Sequence, residues 1–136
     1  MTGGDGIVTI ESRLTVTETI DRLVEVVTKL GLNVFARIDH AAGARDVGMA
    51  LRPTELLIFG NPKGGTPLMQ DRQIAGIDLP VKALAWEDEA GKVWLSYNTA
   101  EWIAVRHHLG DASNAAVQAI AGGMSKVVGL ATGREE

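Results

Sequence analysis

The chain contains no cysteine, so thiol catalysis, disulfide bonds and thiolate metal sites are excluded. Basic residues are also few, because 13 lysines and arginines stand against 17 acidic residues and give a formal net charge of −4. Without a basic surface to neutralise phosphates, we expect no nucleic-acid partner. No segment approaches the length of about eighteen apolar residues that a membrane span needs, and the N-terminus lacks the features of a signal peptide. These absences predict a cytoplasmic protein with no membrane partner.

The remaining composition fits one compact domain. The 136 residues are 46% hydrophobic, which is enough to build a single core but leaves no room for a second one. We predict a flexible N-terminus over residues 1–6, a single α+β domain over 7–130 and a C-terminal tail over 131–136.

The first helix has the clearest local signals. Alternating β-branched residues predict a strand over 7–12, and a helix then opens at Thr15. Thr15 and Glu18 have the spacing of a capping box, in which each side chain binds the backbone N–H of the other residue. An apolar stripe follows, and Gly31 is suited to the left-handed position that ends a helix.

The rest of the chain predicts four more strands and a pair of C-terminal helices. Residues 32–39 alternate as a strand with Val34 and Ile38 on the core side, and 40–53 form a connection that allows a short helix. The further predicted elements are a strand buried on both faces (55–60), a short helix from Thr66-Pro67 to Gly76, a hairpin (81–87 and 92–97), a helix capped by Asn98 and running to Leu109, and a last helix (113–128).

This order of elements decides the fold class. One strand, one helix, four strands and a helix pair predict an α+β domain of the type β-α-β4-α, with helices packed on one face of a largely antiparallel sheet. A doubly wound nucleotide-binding fold is not expected, because the strands do not alternate regularly with helices.

Six short segments in fixed order carry a resemblance to a known family. They are LIFGNP (57–62), GTPLM (65–69), GIDLP (76–80), WED (86–88), VWLSYN (93–98) and RHHL (106–109). From about residue 7 to 130 the chain resembles the bacterial and archaeal domain-of-unknown-function family numbered 302. The resemblance implies a fold similar to the TATA-binding-protein-like architecture and a homodimer, but no activity. It also implies that Arg106 and His107, rather than His108, are polar residues of a pocket beside the turn at 61–66.

The turn from Gly60 to Pro67 is the most plausible place for a ligand. A glycine-rich loop that leads into a helix can direct free N–H groups and a positive helix dipole at an anion, with Lys63 as the counter-charge. The same composition is also typical of a tight corner between a strand and a helix. Thr66 and Pro67 stand where a P-loop needs its lysine and its Ser/Thr, so this is not a nucleotide-binding P-loop.

Two classes of function remain open. The first is a small-molecule or anion-binding module with a pocket between sheet and helices, walled by Phe59, Met69, Trp86, Trp94, Tyr97 and Trp102. Its candidate ligand-binding residues are Asn61, Lys63, Gly65, Thr66, Lys82, Tyr97, Arg106 and His107. The second is a homodimeric interaction module in which the tryptophans are anchors.

An enzyme is the weaker alternative. It would use His107 as general base with Arg106 or Lys82 beside it, but we name no catalytic residue. Adjacent histidines on a helix point about 100° apart, so a metal site is not expected, and any cofactor is unknown. Glu55 opens an apolar strand and needs a partner, such as Arg52, Lys82 or Arg106.

Overall fold

The computed structural model describes residues 5–133, so much of the predicted flexible N-terminus and C-terminal tail (residues 1–4 and 134–136) lies outside the described residues. The strands are β1 (Ile7–Ser12), β2 (Asn33–Asp39), β3 (Thr54–Gly60), β4 (Val81–Glu87) and β5 (Val93–Asn98). The helices are α1 (Val16–Lys29), α2 (His40–Asp46), α3 (Pro62–Asp71), α4 (Ala100–Arg106) and α5 (Asn114–Ala131), with short 3-10 helices at Gln73–Asp78 and Asp111–Ser113.

The five strands form one sheet in the order β1-β5-β4-β3-β2, and every neighbouring pair is antiparallel. Helices α1 and α5 pack together against one face of it. The core lies between them and is built from Ile20, Leu23, Val27, Leu57, Phe59, Ala83, Ala85, Leu95, Met124, Val127 and Val128. The predicted α+β fold with helices on one face is therefore confirmed.

Local signals place α1 as predicted. The Thr15 hydroxyl accepts from the Glu18 backbone N–H at 3.1 Å, and the Glu18 carboxylate accepts from the Thr15 N–H at 3.0 Å. The helix ends with Gly31 at a φ of 78°, a conformation that glycine adopts without strain. Capping therefore fixes both ends of this helix, while its apolar stripe holds it on the sheet.

The prediction that β3 is buried on both faces is wrong. Leu57 and Phe59 are buried under the helices, whereas Leu56 and Ile58 point to the other side and are only half-buried. The unbroken apolar run arises because the second face of the sheet is also apolar. The prediction for β2 is wrong for Ile38, which the register places opposite Leu56 on that second face, whereas Val34 pairs with Phe59 on the helix side as predicted.

We call this second side of the sheet the open face. The strand register assigns to it Ile7, Thr9, Glu11, Ala36, Ile38, Thr54, Leu56, Ile58, Lys82, Leu84, Trp86, Trp94, Ser96 and Asn98. None of these residues is fully buried. The domain thus has one face packed under helices and one apolar face in contact with solvent.

Candidate functional site

A cavity of about 370 Å³ lies at one end of the core, where β3, β4, α3 and α5 meet. Its walls are almost entirely carbon. The lining residues are Leu32, Phe35, Phe59, Gly60, Asn61, Pro62, Gly65, Thr66, Met69, Gly76, Leu79, Pro80, Val81, Ala119, Ile120, Gly123, Met124 and Val127. This volume is in the range of small-molecule sites, roughly 300–1,000 Å³.

Residues at and just after the end of β3 line part of the cavity. Asn61 caps α3, since its side-chain oxygen accepts from the Lys63 N–H at 2.9 Å and Pro62 occupies the first helical position. The predicted helix start, with Thr66 as cap and Pro67 as first residue, is therefore wrong by five residues. The Asn61 cap compensates for the low helix propensity of Gly64 and Gly65, and the helix continues through Pro67.

The first turn of α3 offers little to an anion. Pro62 has no N–H, and the amides of Gly64 and Gly65 both donate to the Asn61 carbonyl, at 2.8 and 3.2 Å. The Lys63 amide is taken by the Asn61 side chain. An anion at this turn would have to displace these internal bonds, so the predicted phosphate-type cradle has no physical support beyond the helix dipole.

Arg106 and His107 are brought together by the structure, but away from the cavity. The Arg106 guanidinium donates to both oxygens of Asp78 at 3.0 Å, and His107 Nε2 lies 2.5 Å from Asp78 Oδ2. Arg106 also stacks on Trp102, 5.4 Å from the ring centroid. This cluster joins α4 to the 3-10 helix Gln73–Asp78, and none of its members lines the cavity.

Lys82 and Tyr97 belong to a third location. They line a smaller groove of about 220 Å³ with Ile7, Leu56, Leu84, Ser96 and Asn98. Burial raises the pKa of the Tyr97 hydroxyl above its usual value, and the charge of Glu101 adds to the effect. The Lys82 ammonium donates to the Pro80 carbonyl at 3.0 Å, so it supports the chain before β4.

The eight candidate ligand-binding residues therefore lie in different parts of the structure. Asn61, Gly65 and Thr66 line the cavity, and Lys63 lies beside it on α3, whereas the other four do not reach it. Of the predicted apolar walls, only Phe59 and Met69 line it, while Trp86 and Trp94 lie on the open face.

Sequence reasoning missed the α5 wall and Phe35. The small residues Ala119 and Gly123 on α5 leave space beside the sheet, and a Cβ at Gly123 would meet no heavy atom within 4 Å. Phe35 is the extra residue of a β-bulge, because Val34 pairs with Phe59 and Ala36 with Ile58. In a sequence, such a bulge is visible only as a break in the alternation of apolar and polar residues. The β2 sequence shows no such break.

Among residues 5–133, no three His, Asp or Glu side chains converge in a way that could hold a metal ion. No helix in the same part of the chain combines the length and the apolar character needed to cross a bilayer.

Comparison with known families identifies the domain. The family model described as "Domain of unknown function DUF302" matches residues 8–127. The chain belongs to the DUF302 family. A crystal structure of an uncharacterised conserved DUF302 protein from Bacillus stearothermophilus is similar to this fold, with a TM-score of 0.74 at 18% identity over 95% of this chain and 97% of that one. At this identity the likeness supports the fold alone.

Two curated relatives of this DUF302 chain carry another name. The chain is 52% identical over 128 residues to "Fluoride-specific ion channel FluC 1" of Brucella suis and to a protein of the same name from Brucella abortus. These alignments cover 94% of the DUF302 chain but only 50% and 47% of the relatives. The chain spans about half the length of the curated relatives that it matches.

Proposed function

We propose that this DUF302 domain binds a small, uncharged, apolar molecule in the cavity between the sheet, α3 and α5. The observation that supports this function is the cavity itself, which has about 370 Å³ of volume behind almost wholly apolar walls. Apolar cavities of only about 150 Å³ are known to bind benzene, so this one has room for a larger molecule.

We infer the charge of the ligand from the small number of polar atoms that the described residues place in the cavity wall. An anion or cation entering the cavity would lose its hydration, and this costs several kcal/mol unless a counter-charge or donors replace the water (roughly 2–7 kcal/mol even for a neutral polar group). The amides of Lys63, Gly64 and Gly65 already donate to Asn61. An uncharged molecule avoids this cost and gains from burial of its carbon surface.

The cost of losing hydration also applies to fluoride, the ion in the name of the curated relatives. Fluoride needs cations or hydrogen-bond donors in place of its water, and the lining of this cavity has few polar atoms. We therefore do not extend the ion named for those relatives to this domain, and we assign the domain a binding role separate from ion passage.

A pair of glycine variants on α5 tests the proposal. Gly123 lines the cavity and Gly122 does not, and a Cβ at either position meets no heavy atom within 4 Å. Gly123→Leu and Gly122→Leu therefore share the same gain in helix propensity, but only the first fills the cavity. The probes are 2-naphthol and decahydro-2-naphthol, two uncharged alcohols with the same carbon framework, titrated calorimetrically into the full chain.

We expect at least one probe to bind the parent and Gly122→Leu, and to lose at least tenfold in affinity for Gly123→Leu. Absence of a heat of binding for both probes up to their solubility would overturn the proposal. Equal affinity of the two variants would overturn the location of the site.

A second candidate function, homodimerisation, is favoured by the open face. The Trp86 indole N–H donates to the Ser96 hydroxyl at 2.9 Å, and the Trp94 indole N–H donates to Asp88 at 2.8 Å. Both tryptophans thus have their polar atoms satisfied and leave apolar ring surface in solvent. A second copy of the chain could cover this surface without supplying hydrogen bonds.

Light scattering with a charged variant tests the dimer. Leu84 lies at the middle of the open face, so Leu84→Glu should convert a dimer into a folded monomer. Thr28→Glu, at an exposed position of α1, should leave the dimer unchanged. A monomeric parent, or a dimer unaffected by Leu84→Glu, contradicts this second candidate.

A hydrolase function has less support than binding. The His107 side chain is 7% exposed, and its Nε2 is occupied by Asp78, so this nitrogen is not available to a substrate.

The cytoplasmic location expected from the composition stays a prediction.

A further inference from the structure

We infer that the cavity selects an uncharged aromatic molecule of one or two rings, with Phe35 covering it at the mouth. The inference rests on the proposed apolar ligand and names its chemical class.

Phenylalanine and methionine are concentrated in the cavity wall. The chain has only two phenylalanines and four methionines. Both phenylalanines, Phe35 and Phe59, line this one cavity, together with Met69 and Met124. Leucine and valine would provide the same apolar area, so this concentration favours a ligand that gains from rings and thioethers in particular.

Phe35 is positioned by a local irregularity. It is the unpaired residue between the Val34–Phe59 and Ala36–Ile58 pairs, and bulges of this kind redirect a side chain next to a site. The side chain lines the cavity and yet leaves Phe35 51% exposed. A bound ring would cover part of this exposed surface, which nothing else in the described chain does.

Met69 lies between two glycines that also line the cavity. A Cβ at Gly76 would lie 3.0 Å from Met69 Sδ, and one at Gly65 would lie 4.0 Å from Met69 Cε. The lack of a side chain at Gly76 leaves room for the thioether in the wall, whereas a Cβ at Gly65 would make only an ordinary contact with it. A sulfur atom about 5 Å from a ring makes a favourable contact that an aliphatic ligand cannot make.

The size of the expected preference follows from these contacts. An aromatic pair and a sulfur–ring contact together favour an aromatic ligand over its saturated counterpart by roughly tenfold or more. Total apolar area changes little between the two, so the ratio of affinities isolates the aromatic contribution from the general hydrophobic gain.

The experiment compares 2-naphthol with decahydro-2-naphthol by calorimetric titration of the full chain at pH 7. The variants are Phe35→Leu and Met69→Leu, which keep apolar side chains but remove the ring and the sulfur. Val34→Leu is the matched control, because Val34 is adjacent in β2, 39% exposed and absent from the cavity wall.

We expect 2-naphthol to bind the parent and Val34→Leu about tenfold more tightly than the saturated alcohol, and this ratio to fall at least threefold in Phe35→Leu. Similar affinities of the two alcohols for the parent would overturn the aromatic class and leave the apolar-ligand proposal standing. An unchanged ratio in both Phe35→Leu and Met69→Leu would overturn the assignment to these residues. Binding of neither alcohol would overturn the proposed function itself.

Discussion

Arg37 on the edge strand β2 donates through Nε to Glu55 on β3 at 3.0 Å, and its NH1 donates to Asp21 on α1 at 2.7 Å. The Glu55 side chain is only 7% exposed and also accepts from the Thr17 hydroxyl at 2.6 Å. One guanidinium therefore joins the edge strand, the central sheet and α1, and it neutralises a buried carboxylate.

Loss of this guanidinium should destabilise the fold. Arg37→Met leaves Glu55 buried without a cation, and we expect a loss of about 1–3 kcal/mol in the free energy of unfolding. The lower part of this range is favoured because Arg37 itself is one-third exposed. Urea unfolding followed by circular dichroism measures it. The control Lys126→Met, at an exposed position of α5, should change stability by less than about 0.5 kcal/mol, and an equal loss in the two variants would contradict the role of the pair.

Alanine variants at Gly6 and Gly31 distinguish the energetic cost of a steric clash from the cost of backbone strain. Both have positive φ, 79° and 78°, but a Cβ at Gly6 would lie 2.2 Å from Trp102 Cγ, whereas one at Gly31 meets nothing. We expect Gly31→Ala to cost about 1 kcal/mol from strain alone and Gly6→Ala to cost more, about 2–4 kcal/mol. Thermal unfolding of the two variants measures the difference. Equal melting temperatures would mean that the Trp102 contact yields easily.

Asp78 binds two basic side chains at the C-terminal end of α4, Arg106 and His107. Asp78→Ala removes the partner of buried His107 as well as that of Arg106, so we expect a loss of about 1–3 kcal/mol. Arg106→Leu removes a half-exposed ion pair and the stacking on Trp102, and it should cost less than about 1 kcal/mol. Denaturant midpoints of the two variants test this order. A larger effect of Arg106→Leu would show that stacking on Trp102 matters more than the carboxylate.

Asp88 provides a pH-dependent contribution to stability. The Trp94 indole N–H, followed by the Lys92 backbone N–H, holds the pKa of the Asp88 carboxyl below its usual value. Because the folded pKa is the lower one, the contribution is present above the usual pKa of about 3.9 and is lost as the pH falls through the folded value. Asp88→Asn should therefore lose less stability than the parent between pH 6 and pH 3.

Urea midpoints at the two pH values measure this difference. The neighbouring exposed residue supplies the control, since Glu89→Gln should lose as much stability as the parent on acidification. A parent and an Asp88→Asn variant with the same acid sensitivity would contradict the role of Asp88.

The fold class was accessible from the sequence because its strongest signals are local. The Thr15 capping box, the helix end at Gly31 and the hairpin turn at Gly91, with a φ of 85°, all act within a few residues. The sequence is less informative where two neighbouring residues could both cap the same helix. Asn98 was expected to cap α4, but Thr99 does so, with its hydroxyl accepting from the Trp102 N–H at 3.2 Å.

The candidate site was only partly accessible, because its members come from distant parts of the chain. The turn that carries Asn61, Gly65 and Thr66 does border the cavity, and their role in binding stays a prediction. Phe35 and Gly123 reach the same cavity through a bulge and through helix packing, which spacing along the chain does not encode. Arg106 and His107 instead contact Asp78, which lies 28 residues before Arg106 and 29 residues before His107 in the chain.

The positions of the three tryptophans have an optical consequence. Trp86 and Trp94 form a tilted pair on the open face with ring centroids 6.4 Å apart, and Trp102 lies under Arg106. None of them lines the cavity. Intrinsic emission should therefore shift when the open face is covered and stay nearly constant when decahydro-2-naphthol, which neither absorbs nor emits in this range, fills the cavity, so that one spectrum distinguishes self-association from uptake of this ligand.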